Sequence, residues 1–96
     1  MPVDIYYAPL EDALPVTFAD AQQRFAAAGI PCSVEPEVEE MRWLVFPGYE
    51  TTILASTKGD QFVFATVQAT FDEDPAFMSR VEEVFQAMGF SAGEDF

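Results

Sequence analysis

Glu35, Glu37, Glu39 and Glu40 place four carboxylates within six residues, the largest acidic cluster in the sequence. Closely spaced carboxylates can act as a general acid and a base, bind a hard cation, or attract a basic surface. If this segment is extended, it spans at most about 20 Å, a length over which carboxylates can mimic spaced phosphates. The purely structural interpretation is a charged, solvated loop between two strands.

A second acidic cluster, Asp72-Glu73-Asp74, directly precedes a predicted helix. Acids at a helix N-terminus are stabilised by the helix dipole, by about 0.3–1 kcal/mol each, which favours a structural role for this cluster. An EF-hand calcium loop would need spaced acids, a central Gly and a Glu at its last position, and that pattern is missing. We therefore expect no metal site.

The chain contains no histidine, which excludes the commonest catalytic arrangements. Ser-His-Asp and Cys-His catalysis and imidazole metal sites all require one. The five glycines are scattered singly, so no phosphate-binding loop is formed. Paired carboxylates can hydrolyse glycosidic bonds, but 96 residues provide little wall for a substrate cleft. We expect a protein that is not an enzyme and uses no cofactor.

The net charge of −13, from 17 acidic and 4 basic residues, is larger than solubility requires. A small domain needs a net charge of only about 2–8, and the surplus repels itself and lowers stability. An acidic or halophilic proteome would explain it, and so would a basic partner, because an acid-rich surface steers such a partner and raises the association rate. Four basic residues are too few for direct binding of nucleic acid or anionic lipid.

The sequence also indicates a compartment. Cys32 is the only cysteine, so no internal disulfide can form, and we expect a small buried hydrophobic residue. The first 14 residues carry acids and no basic side chain, unlike a signal peptide. No apolar run approaches the roughly 20 residues that cross a bilayer. We expect a cytoplasmic protein without membrane contact.

The elements that would position these residues follow from periodicity and from turn and capping residues. A helix is predicted over 17–28, with Thr17 as its N-cap and Gly29 after its end. A second helix is predicted from Pro75, capped by Asp74, and ending before Gly89. Strands are predicted over 3–7, 41–46, 51–57 and 61–71, with a short edge strand within 32–37.

Two turns connect these strands into a meander. Pro47-Gly48 fits the central positions of a type II turn, and Lys58-Gly59-Asp60 forms the next turn. The order of elements predicts one α+β domain over 1–96, a mainly antiparallel sheet of four to five strands with two helices packed on one face. The tail after Gly89 is expected to be short and partly frayed.

The last strand has two different faces. Its core row is predicted to be Val63, Ala65, Val67, Ala69 and Phe71. Phe62 and Phe64 then share the opposite face, and Trp43 and Tyr49 flank the preceding turn. If that face is open, these rings form an aromatic patch rimmed by acids, which is the usual anatomy of a protein interface. A helix or a dimer partner covering the face is the alternative.

Together these features indicate a non-enzymatic acidic protein-binding module, either an inhibitor or an immunity-type protein. Its partner would be a basic protein that handles nucleic acid or acts as a toxin, which it would neutralise by charge or by nucleic-acid mimicry. The alternatives are a secretion-chaperone-like or assembly protein that holds an apolar client segment, and a homodimeric structural or ligand-sensing domain. The candidate partner-binding residues are Glu35, Glu37, Glu39, Glu40, Trp43, Tyr49, Phe62 and Phe64.

Overall fold

Our computed structural model describes residues 2–70 and 72–93 of the chain. These residues contain seven strands and two helices. In chain order the elements are β1 (Pro2–Pro9), β2 (Val16–Thr17), α1 (Phe18–Ala27), β3 (Ser33–Val34), β4 (Met41–Val45), β5 (Thr52–Lys58), β6 (Gln61–Thr70), α2 (Pro75–Ala87) and β7 (Phe90–Gly93). The predicted α+β class is confirmed.

All strand pairings are antiparallel, and the sheet has the order β3-β4-β5-β6-β1-β7, with β2 also paired to β6. β6 is central, because β5 lies along one side of it and β1 and β2 share the other side. The predicted count of four to five strands was too low. β2 and β3 have only two residues each, and β7 lies in the tail that was expected to fray. Pairing of Phe90 with Pro9 and of Ser91 with Ala8 holds β7 in the sheet.

Both helices begin where the capping residues predict. The Thr17 hydroxyl accepts a hydrogen bond from the backbone N–H of Asp20 at 3.1 Å. The Asp74 carboxylate accepts one from the N–H of Ala76 at 3.0 Å, with proline at the first helical position. These bonds satisfy N–H groups that have no partner within the helix.

The helices end in the same way. Gly29 and Gly89 follow α1 and α2 with φ of 85° and 83°, a conformation that a residue with a Cβ rarely adopts. After α1, the Ile30 N–H donates to the Phe25 carbonyl at 3.0 Å, the bond that closes a Schellman motif. Ile30 is buried, so the chain leaves the helix directly into the core.

Phe25 of α1 and Phe85 of α2 meet over the sheet, and both are fully buried. Their ring centroids lie 6.0 Å apart at an edge-to-face angle of 78°. Tyr7 of β1 stacks on Phe85 with centroids 4.0 Å apart. The buried side chains of both helices belong to one cluster with Ile53 and Val67 of the sheet, so the helices cover the same face, as predicted.

A bulge in β6 reverses which side chains face the core. Phe62 pairs with Thr57 and Ala65 with Ala55, so three steps along β6 match two along β5. The extra residue shifts the alternation by one position. Phe62 is therefore only 3% exposed, whereas Phe64 is 52% exposed on the opposite face.

The prediction that Phe62 shares a face with Phe64 was wrong, because an alternating pattern assumes an unbroken strand. Phe62 packs in the core, with its ring centroid 5.1 Å from that of Phe18 and 5.6 Å from that of Phe90. Val63, predicted to lie in the core, is only partly buried. Phe71 lies outside the described residues.

The turn predicted at Pro47-Gly48 is confirmed. The Tyr49 N–H donates to the Phe46 carbonyl at 3.1 Å, and Gly48 has a φ of 88°, as the third position of a type II turn requires. Among the described residues, neither helix has the length and apolar character that would let it cross a membrane.

The bulge makes Phe62 and Phe64 a matched pair for mutation. We expect Phe62→Ala to lower the free energy of unfolding by about 3–5 kcal/mol, because it leaves a cavity in the ring cluster. Phe64→Ala should lower the free energy of unfolding by less than about 1 kcal/mol, because the Phe64 side chain is half exposed. Urea denaturation of the two variants measures both values. Equal losses would show that β6 has no bulge.

Candidate functional site

The sheet face opposite the helices carries a row of side chains across four strands. Tyr6, Thr66, Leu54 and Trp43 are direct cross-strand neighbours on β1, β6, β5 and β4. At about 4.8 Å per strand, the row is about 14 Å long. Phe64 lies two residues before Thr66 on the same face. We call these five residues the open face.

The open face is accessible in this chain. Tyr6 and Trp43 are each 39% exposed, and Phe64 is 52% exposed. The alternating positions Leu44 and Ile53 point the other way and are fully buried with the helices. No helix within residues 2–70 and 72–93 lies over the open face. Three partly exposed aromatic rings therefore stand on one surface.

The acidic cluster forms a hairpin beside this face. The Glu35 N–H donates to the Trp43 carbonyl at 2.9 Å, and Val38 and Met41 exchange both backbone hydrogen bonds at 2.8 and 3.0 Å. Residues 35–40 therefore fold back along β4 and cover its edge, which would otherwise present unpaired backbone groups. We call this segment the acidic hairpin. Its four glutamates are all exposed.

Glu39 and Glu40 form the turn of the acidic hairpin with φ of 52° and 66°. A two-residue turn with two positive φ angles is type I′, which strongly prefers Asn-Gly. A side chain with a Cβ in this conformation costs about 1–2 kcal/mol. Because the sequence has no Asn-Gly here, this turn was not predicted.

Two hydrogen bonds from Thr57 attach the acidic hairpin to β5. The Thr57 hydroxyl donates to Glu37 Oε1 at 3.0 Å, and its N–H donates to the Glu40 carbonyl at 2.8 Å. Glu37 and Glu40 then line a groove of about 560 Å³ together with Lys58 and Phe64. The structure therefore places two of the predicted acids and an exposed aromatic ring in one groove.

The other predicted site residues lie elsewhere. Glu35 and Glu39 are on the acidic hairpin but do not line the groove. Tyr49 stacks on Phe77 of α2, with ring centroids 3.9 Å apart and an interplanar angle of 16°. Tyr49 therefore lies on the helix side of the sheet, as does Phe62. Of the four predicted aromatic anchors, the open face holds only Trp43 and Phe64.

Tyr6 and Leu54 of the open face were not among the predicted site residues. The alternation of β1, with Ile5 and Tyr7 packed toward the core, places Tyr6 on the opposite face. Leu54 lies between the buried Ile53 and Ala55, so the same alternation places it on the open face. The signal was present at both positions, but nothing in the sequence shows that β1 and β6 are neighbours.

The negative charge is hardly neutralised within the molecule. Arg24 and Asp20 form the only salt bridge in the described part of the chain, at 3.0 Å. Arg42 lies on the helix side, where its guanidinium is 5.1 Å from the centroid of the Phe18 ring and its Nε donates to the Glu35 carbonyl at 2.8 Å. Lys58 is the basic residue of the groove.

Other chemistry is not supported by the arrangement of side chains. Among residues 2–70 and 72–93, no three His, Cys, Asp or Glu side chains are grouped as metal ligands. Burial raises the pKa of the Cys32 thiol to about 11. At neutral pH this thiol is protonated and buried, so it is a poor nucleophile.

Comparisons of the chain with known protein families, with curated proteins and with solved structures return no match. The geometry and charge of the open face and the acidic hairpin are therefore the features that bear on function.

The strained turn of the acidic hairpin predicts a stabilising substitution. We expect Glu40→Gly to raise the free energy of unfolding by about 0.5–1 kcal/mol, since glycine adopts a positive φ without a Cβ clash. Glu40→Ala is the matched control, because it removes the same charge and keeps the Cβ, and it should gain less than half as much. Thermal or urea unfolding of the two variants measures the difference. Equal gains would attribute the effect to charge alone.

The buried thiol predicts a pH dependence. The Cys32 pKa is about 11 in the folded protein, against 9.0 for an ordinary thiol, so the unfolded chain loses its proton first as pH rises. This contribution to stability is complete below about pH 9 and is lost between about pH 9 and 11. Wild type should therefore lose more stability than Cys32→Ala over that range. Parallel slopes in urea titrations would contradict this assignment.

Proposed function

We propose that this protein is a non-enzymatic binding module that holds and neutralises a basic protein partner through the open face and the acidic hairpin. The observation that carries the proposal is that Glu37 and Glu40 line one groove with the exposed ring of Phe64. An apolar contact area and an unpaired acidic rim are therefore parts of the same surface.

The composition of the open face suits a protein interface. Interface centres are enriched in Trp, Tyr and Phe, and a few such residues supply most of the binding energy. Trp43, Tyr6 and Phe64 provide these ring types on the open face, with Tyr6 and Trp43 at the two ends of its row, and the acidic hairpin provides a charged rim. The sheet holds all three rings on strands, so little conformational entropy is lost when a partner binds.

The charge of the chain favours a basic partner. Thirteen uncompensated negative charges attract a basic surface over a Debye length and raise the association rate. Basic proteins that handle nucleic acid, including toxins of that class, present such surfaces. An inhibitor or an immunity-type protein would use this attraction to occlude the basic surface of its target.

The shape of the acidic hairpin narrows the mode of binding. Because the chain turns back at Glu39 and Glu40, the four glutamates of the acidic hairpin are not spaced along one extended strand. This arrangement favours electrostatic steering toward a compact basic site over imitation of evenly spaced phosphates.

Two alternative functions use the same open face. A secretion-chaperone-like protein would hold an apolar client segment on Trp43 and Phe64, and its binding would be insensitive to salt. A homodimer would bury the open face of one copy against that of another. A second copy carries the same charge of −13, so electrostatic repulsion opposes that contact.

Capture from a lysate of the source cells tests the proposal with matched variants. Tagged wild type should retain basic proteins at low salt and release them at high salt. Glu37→Gln with Glu40→Gln, and separately Phe64→Ser, should weaken retention severalfold. Glu82→Gln with Glu83→Gln removes the same charge from the exposed side of α2 and should leave retention unchanged.

Kinetics on a purified captured protein complete this test. Steering predicts that the association rate constant falls about tenfold or more as salt is raised to physiological strength and beyond. An association rate that ignores salt, or equal retention by all the variants, would overturn the proposal. A stable homodimer in light scattering that dissociates on Phe64→Asp would establish the dimer instead.

A further inference from the structure

Phe64 separates two grooves of different chemistry on the open side of the sheet. The acidic groove, of about 560 Å³, contains Glu37, Glu40 and Lys58 together with Ser56 and Thr57. The apolar groove, of about 360 Å³, is formed by Tyr6, Tyr7, Ala65 and Thr66. Phe64 lines both grooves, so one aromatic residue is shared by a charged site and an apolar site.

We infer that the two grooves together bind an extended, basic segment of the partner. In this segment, a Lys or Arg and a large apolar side chain are two residues apart. This inference rests on the proposed function and names the chemistry that the open face recognises. The basic side chain enters the acidic groove, and the apolar side chain enters the apolar groove.

The spacing follows from the shared ring. Phe64 lines both grooves, so two side chains that contact this ring, one from each groove, lie two van der Waals contacts apart, about 7–8 Å. An extended peptide repeats its side chains on one face at about 6.7 Å, so alternate side chains of a bound segment can reach the two grooves. Adjacent side chains of such a segment point to opposite faces, and only one of them could bind.

The acidic groove favours a long basic side chain. It is lined by two glutamates and by a single basic residue, Lys58, so the groove keeps a net negative charge. The exposed Phe64 ring at its border can pack against the methylene stem of Lys or Arg or accept a cation on its face. Glu37 is held by the Thr57 hydroxyl, which fixes one carboxylate in the groove.

Lys58 acts as an internal competitor for the same carboxylates. It is exposed, and no salt bridge within residues 2–70 and 72–93 includes it. A partner cation must share the groove with this ammonium, which weakens its attraction. Removing the Lys58 charge should therefore strengthen binding, whereas removing the Glu40 charge should weaken it.

The apolar groove excludes a second charged side chain. Tyr6, Phe64 and Thr66 line it from the open face, and it is also lined by Tyr7 and Ala65, whose side chains are buried on the helix side. A charged group placed there would lose hydration without gaining an ion pair. A leucine or an aromatic side chain would instead bury apolar surface against two rings.

The test uses four synthetic peptides, acetylated and amidated, in a common Gly-Ser background. One carries Lys-Thr-Leu, and a second carries Leu-Thr-Lys, so that both directions of the bound segment are tested. The third, Lys-Leu-Thr, has the composition of the first with adjacent side chains, and the fourth, Ser-Thr-Leu, lacks the charge. Titration into isotopically labelled full-length protein at low salt, followed by amide chemical shifts, gives the dissociation constant and the residues affected.

We expect one of the first two peptides to shift the amides of Glu40, Phe64 and Thr66. The adjacent isomer should bind about threefold more weakly or worse, because its leucine cannot reach the apolar groove. Glu40→Gln should weaken the preferred peptide by about two- to fivefold, and Lys58→Gln should tighten it by a similar factor. Glu82→Gln is the control and should leave the constant unchanged.

Each contrary result has a distinct meaning. Equal affinity for the isomers, or tightening by Glu40→Gln, would overturn the inference. Equal binding of the uncharged peptide would overturn its basic half and favour a chaperone. If basic proteins are captured through the open face while no peptide shifts these amides, the partner presents a folded surface, and the inference fails while the proposed function stands. If neither is bound, both fail.

Discussion

The bulge in β6 is the constraint on which the rest of this structure depends. One extra residue, facing Ser56 across the hairpin, sends Phe62 into the core and Phe64 out of it. The inward ring joins Phe18, Phe85 and Phe90 and closes the core at the end of the sheet where β2 pairs. The outward ring becomes the border between the acidic and apolar grooves. A regular strand would place both rings on one face, so only one of these two arrangements could form.

The charge of the chain complements this geometry. Exposed rings on a sheet face invite association between copies, a hazard that natural sheets reduce with charged residues. Here Arg24 is paired with Asp20, Arg42 is held on the helix side, and a single lysine, Lys58, lines the groove of Glu37 and Glu40, so the acids there keep a net negative charge. The same charge that opposes contact with another copy attracts a basic surface.

Local chemistry made the helices and one turn predictable from the sequence. Pairing between strands that are distant in the chain could not be predicted in this way. Thr17, Asp74 and Pro47-Gly48 determine their caps and turn within a few residues, so the sequence sufficed for them. β7 exists only because Phe90 is buried beside the other rings and pairs with Pro9, which is distant in the chain. The bulge likewise depends on β5. Tyr49 and Phe62 were misplaced, and Tyr6 was overlooked, for the same reason.

The acidic hairpin is where local preference and the overall fold disagree most. Asn-Gly would satisfy the backbone at positions 39 and 40, yet two glutamates occupy them at positive φ. Such disagreements concentrate at functional sites, where strain is retained because the side chains are needed. The attachment of this hairpin through Thr57 holds Glu37 and Glu40 beside Phe64, so the strain keeps charge next to an apolar ring. Charge anywhere on the surface serves solubility equally well, so the position of these carboxylates beside Phe64 supports the proposed binding role.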